Sequence, residues 1–113
     1  MIQTAIDFDA AERRATTGMR RAADHADRVE PGWTERAVEA LRQFAKEQSK
    51  PFTIEAAREA IASKVPQPPE ARAWGAVTRT ARARDYIAPA GVALPAASSN
   101  GSLKPGWRAG SAA

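Results

Sequence analysis

The chain has 113 residues, a formal net charge of +4 and no cysteine, which suits one small domain with an appendage and excludes a disulfide frame or thiol chemistry. Hydrophobic residues make up 43% but are largely alanine, and three Phe, three Trp and one Tyr supply the bulk, so the core must be modest. No apolar run approaches the ~20 residues of a membrane span, and the opening MIQTAIDFDAAERR lacks the basic-then-apolar order of a secretory signal; a soluble cytoplasmic protein is expected.

Residues 1–18 read as a flexible or partly helical segment and 19–32 as an accessory helix and turn. Ala11, Ala15, Met19, Ala22, Ala26 and Val29 keep a helical stripe, but it is thin, and Thr16-Thr17-Gly18 predicts a break near Gly18. Glu30-Pro31-Gly32 ends this helix. Thr34 is a good N-cap for the strongest helix, over 34–48, where Ala37, Val38, Leu41, Phe44 and Ala45 make one apolar face. Trp33, just before the cap, fits a hydrophobic staple against Val38 or the first helix. Pro51-Phe52 is a short extended piece, and Thr53 caps a helix over 54–64 whose inward stripe is Ile54, Ala57, Ile61 and Val65. Val65-Pro66-Gln67-Pro68-Pro69 then forces a stiff turn, with Pro69 suited to the first helical position of the next helix.

That next helix, 69–84, is sorted by chemistry. Trp74, Val77 and Ala81 fall on one side, while Arg72, Gly75, Arg79 and Arg82 repeat the three- and four-residue spacing on another. The first stripe packs on a core. The second, with only a hydrogen at Gly75, is an outer face suited to a polyanion, although a solvated basic face has the same pattern. Charge placement favours the polyanion: residues 1–30 carry six acids and five bases, 31–69 five acids and six bases, and 70–113 two acids and six bases. The whole excess lies in the last third. Beyond it, Tyr86-Ile87-Ala88 pairs with Gly106-Trp107-Arg108 as a hairpin around a loop with Asn100-Gly101 at its tip, and 110–113 is a disordered tail.

This order predicts a mainly α fold with a small β-hairpin: a winged helix-turn-helix domain over 33–109 with an additional N-terminal helix. Residues 69–84 are then the recognition helix, 86–108 the wing, and Pro51-Phe52 the small strand that pairs with the wing's base. Ala26-Asp27 through Trp33, Phe52-Thr53-Ile54-Glu55, Arg72-Ala73-Trp74-Gly75-Ala76-Val77, and Ser99-Asn100 with Pro105-Gly106-Trp107-Arg108 together resemble a group of small phage and prophage proteins. The resemblance covers roughly residues 20–109. It implies a winged-helix DNA-associated protein in a phage setting near replication or regulation genes, and brings no catalytic residues.

The expected partner is double-stranded DNA. Arg72, Gly75, Arg79 and Arg82 would face the major groove or its rim, while Lys104 and Arg108 grip phosphates from the wing and its base. Arg84 is expected at backbone or at the helix C-terminus. The alternative is a winged helix recruited for protein contact, as a small phage inhibitor or loader of a host or phage nucleic-acid enzyme, including anti-CRISPR-type inhibition. The N-terminal helix either folds back on its own domain or supports a weak homodimer; folding back is favoured. Trp74 and Trp107 read as core rather than base-stacking groups. His25 is the only histidine and there is no cysteine, so a structural zinc site lacks its preferred ligands, and a Ser-His-Asp arrangement with Ser98, Ser99 or Ser102 would have only His25, in a different element, to draw on. The acidic Asp7, Asp9 and Glu12 lack a scaffold, and Gly75 belongs to no phosphate-binding glycine pattern. No catalytic residue, cofactor or metal is expected.

Overall fold

In the computed structural model, which describes residues 2–96 and 102–113, helices lead and one antiparallel hairpin closes the chain. The elements are α1 (Ile2–Val29), α2 (Trp33–Glu47), α3 (Ile54–Ile61), α4 (Ala73–Ala83), β1 (Ile87–Pro95) and β2 (Leu103–Ala109). The architecture is mainly helical with a two-stranded sheet, compatible with the expected class.

α1 does not break at Gly18. A glycine inside a helix costs about 1 kcal/mol relative to alanine, but here the helix is held from outside by packing on α4. The Thr16 hydroxyl also donates to the Glu12 carbonyl at 3.0 Å without leaving the helical path. Of the thin stripe only Met19, Ala22 and Ala26 pack, joined by Ala23; Ala11 and Ala15 are exposed and Val29 is 60% exposed. The second half of α1 therefore folds back on its own domain, and the first half runs on beyond it.

Thr34 is not the N-cap of α2. Gly32, at φ 78°, takes that position, and the cap is supplied from α1: Asp27 Oδ1 accepts the Thr34 amide at 2.8 Å and Oδ2 accepts the Thr34 hydroxyl at 3.0 Å. One carboxylate thus satisfies a first-turn amide and sits at the positive end of the helix. Asp27→Ala is expected to cost about 1 kcal/mol, within the range for lost caps, and to lower Tm by roughly 4 °C. Thermal melts monitored by circular dichroism read this; an unchanged Tm would show that the α1–α2 junction does not depend on the carboxylate.

Thr53 caps α3 as expected, accepting the Ala56 amide at 3.1 Å, but the helix stops at Ile61 and a turn leads into the prolines. Pro69 does not begin α4. Residues 69–72 form turns closed by Ala73 to Glu70, Trp74 to Ala71 and Gly75 to Arg72 backbone bonds, a tight three-residue winding that delays the α-helix to Ala73. Trp33 packs edge-on against Trp74, with ring centroids 5.2 Å apart and an interplanar angle of 76°, and its indole N–H donates to the Pro66 carbonyl at 2.7 Å. The aromatic staple is therefore to α4 and the proline turn rather than to Val38 or α1 alone. Phe44 and Phe52 form a second edge-on pair at 5.0 Å.

Phe52 bridges Trp107 of β2 through both backbone bonds, at 3.0 and 2.7 Å, so the short extended piece does pair with the base of the hairpin. The strands are longer than the aromatic segments suggest: Ile87↔Ala109 opens the ladder, Pro95↔Leu103 closes it, and an irregularity lies between Pro89 and Ala93. The Asn100-Gly101 tip, Ser98 and Ser99 lie outside the described residues. The C-terminal residues are docked rather than frayed. Gly110 and Ala112 amides donate to the Tyr86 and Asp85 carbonyls at 2.9 Å each, Arg42 donates to the Ala113 carbonyl at 3.2–3.3 Å, and Ser111 bonds the Asp85 carboxylate. A Cβ at position 110 would overlap the Asp85 carbonyl, so the terminal glycine permits this close return.

Candidate functional site

α4 ends in a turn that its sequence does not announce. Asp85 takes a left-handed conformation, φ 62°, with the Tyr86 amide returned to the Ala81 carbonyl at 2.9 Å and the Asp85 amide to Arg82 at 3.1 Å. This paired arrangement closes the helix and launches β1. Ala73, Trp74, Val77 and Ala81 form the buried side, as the apolar stripe predicts.

The opposite side is not open throughout. α1 lies along it, and at Gly75 the two helices are tightly packed: a Cβ there would overlap Met19 Sδ. Gly75 is thus half-buried in helix–helix packing, whereas the arginine stripe predicts it on an open outer face. Ala76 and Thr80 are half-buried beside it. Arg79 is exposed but stands at the rim of a cleft between α1, α2 and α4, lined also by Thr16, Met19, Asp24, Asp27 and Thr34.

The remaining candidates separate by what holds them. Arg72 is exposed and paired with Glu70 at 3.1 Å. Arg82 is exposed with no ion pair among the described residues, as is Arg79. Lys104 is exposed on β2, beside a groove that it shares with Arg58, Ile54 and Trp107. Arg108 is exposed, its guanidinium donating to the Ala109 carbonyl at 3.0 Å. Trp107 is half-buried and packs against the core, as expected.

Arg84 is committed elsewhere. Its two terminal nitrogens meet both oxygens of Glu35 at 2.8 Å, a fork-to-fork pair across 49 positions of sequence. The hydrogen bond from Arg84 holds the Glu35 carboxyl below its ordinary value, with slight burial opposing and the charge of Arg84 adding to the effect; the Arg84 guanidinium is shifted upward in turn. A lowered carboxylate stabilises the fold above the ordinary glutamate range and loses that contribution as pH falls through its folded value. The Tm difference between parent and Glu35→Gln at neutral pH is therefore expected to close as pH drops below about 4. A difference that persists unchanged in acid would mean that the pair contributes nothing through its charge. The site is exposed, so the effect is small and falls with salt.

Patterning missed the arginines of α1. Arg13, Arg14, Arg20 and Arg21 are all exposed, and the seven-residue spacing of 14, 21 and 28 was the available signal. It is masked in a charge count because the first 30 residues balance overall. Among the described residues no group of three His, Asp or Glu side chains is arranged for a metal, and no helix is long and apolar enough to cross a membrane. Comparison with protein-family models, with curated proteins and with solved structures gave no match in any of the three.

Proposed function

We propose that this chain is a non-enzymatic DNA-binding module of winged-helix type that holds duplex DNA by its phosphates. The observation that carries the reading is the set of exposed cations without an acidic partner among the described residues, Arg79 and Arg82 on α4 and Lys104 on the hairpin, within the segment that holds the chain's whole charge excess. The order α2, Phe52 bridge, α3, α4 and hairpin supports the winged-helix assignment. The proposal extends to a role in phage replication or regulation, and that part rests on the resemblance of the sequence segments alone. Because α1 lies over Gly75, α4 grips phosphates rather than inserting that face to read bases.

With about four to six phosphates neutralised, log K for a mixed-sequence duplex is expected to fall against log salt with a slope on the order of −4 to −5. Arg79→Ala and Lys104→Ala should each weaken all duplexes similarly and reduce that slope by about one. Sequence-selective loss from Arg79→Ala alone would instead show base reading.

The second reading, a winged helix used for protein contact, is favoured by the same packing of α1 on α4, which occupies the middle of the stripe at Gly75 while leaving Arg79 and Arg82 exposed. It predicts no duplex binding at micromolar protein in low salt, and capture of a phage or host nucleic-acid enzyme that Arg82→Ala or Lys104→Ala abolishes.

A further inference from the structure

Four guanidiniums converge where the free half of α1 leaves the domain. Arg13, Arg14, Arg21 and Arg72 line a groove floored by Thr17 and Gly18. Gly18 favours the approach: a Cβ on it would stand 3.1 Å from Arg72 Nη1, so the bare backbone lets this arginine, at the N-terminal end of α4, lie close against α1. Among the described residues Arg72 has an ion pair, with Glu70, and the other three have none. Asp9 and Glu12 line a neighbouring groove with Arg13 and Arg20 without pairing to either.

Gathering like charges on one surface is unfavourable unless something negative spreads over them. We infer that this groove is a second phosphate-binding site, shared by α1 and α4, that takes the backbone of duplex DNA. The inference rests on the DNA-binding reading and extends it from α4 and the hairpin onto α1. Two features select a nucleic-acid backbone. Arg14 and Arg21 are seven residues apart, about 10.5 Å along the axis, more than one phosphate group spans, so a polymer of phosphates meets both. The floor of small residues offers no apolar pocket of the kind that anchors a protein partner.

The test uses the full chain, a fluorescein-labelled mixed-sequence duplex and anisotropy titrations from 50 to 200 mM salt. Arg14→Gln with Arg21→Gln is expected to raise Kd on the order of tenfold at the low-salt end and to reduce the salt slope by about two units. Gly18→Leu, which fills the floor and displaces Arg72, should raise Kd several-fold while leaving Tm equal or higher, since leucine is the better helix former. Parent-like affinity and slope in the Arg14/Arg21 variant, with binding still lost in an Arg82→Gln/Lys104→Gln variant, overturns this site and leaves the DNA-binding reading standing. No duplex binding by the parent overturns both. Calorimetric titration with inorganic phosphate separates the sources: saturable binding lost in the Arg14/Arg21 variant, without any duplex binding by the parent, would assign the groove to a free anion.

Discussion

Trp74→Ala is expected to destabilise the protein by about 3–5 kcal/mol, the range for emptying a large aromatic site, and to unfold a substantial fraction of it at 37 °C. Trp74 is 3% exposed and lies between Trp33, 5.2 Å away, and the guanidinium of Arg58, 5.4 Å above its ring. Its neighbours on the buried side of α4 are Ala73, Val77 and Ala81, so the helix that carries it has no large side chain to take its place. A domain of this size holds only about 5–15 kcal/mol in all. The indole nitrogen itself is dispensable, because among the described residues Trp74 Nε1 is buried without a partner. Trp74→Phe should therefore lose area but no hydrogen bond. Trp33→Phe forfeits the bond to the Pro66 carbonyl as well. Chemical denaturation of the three variants is expected to rank Trp74→Phe as the mildest and Trp74→Ala as the most severe. A Trp74→Ala protein that melts like the parent but no longer binds its partner would place the indole at a surface.

Much of the frame is legible because its causes are local. Thr53 before an acidic, apolar-periodic run caps α3 through its own hydroxyl, and the apolar stripes of α2 and α4 face inward because their spacing leaves one side for the core. What the sequence hides is supplied from far along the chain. The cap on α2 comes from Asp27, on the previous helix; Arg84 finds Glu35 across 49 positions; the tail is fixed by the carbonyls of Asp85 and Tyr86. α1 stays helical through Gly18 because α4 packs beside it, a fact no window around Gly18 contains. The same limit governs the candidate site. A helical wheel shows that Arg72, Gly75, Arg79 and Arg82 share a side, but not that another helix lies upon that side. It also separates the arginines of α1 from Arg72, though the groove at Gly18 joins them.

Gly75 is where these two views part most clearly. If its missing side chain served a close approach to DNA, Gly75→Leu would leave the fold intact and weaken binding. The structure predicts the reverse order of effects. A Cβ at this position meets Met19 Sδ and Cγ at less than contact distance, and the rest of a leucine must enter the α1–α4 seam, whose other members are buried alanines. Overpacking of this kind costs typically about 1–3 kcal/mol, partly offset by the ~1 kcal/mol that replacing a helical glycine returns. The smaller change Gly75→Ala should be nearly neutral, because the flexible Met19 side chain can swing aside. Combining Gly75→Leu with Met19→Ala empties the space that the new side chain needs, so the double variant is expected to be more stable than the sum of the single changes predicts, by about 1 kcal/mol or more. Urea denaturation of the four proteins in that cycle reads the coupling, and anisotropy with the duplex reads the function. Additive stabilities would remove Gly75 from the helix seam. A folded Gly75→Leu protein with parent stability and lost DNA affinity would return it to the binding face and show that α1 moves off α4 when DNA binds.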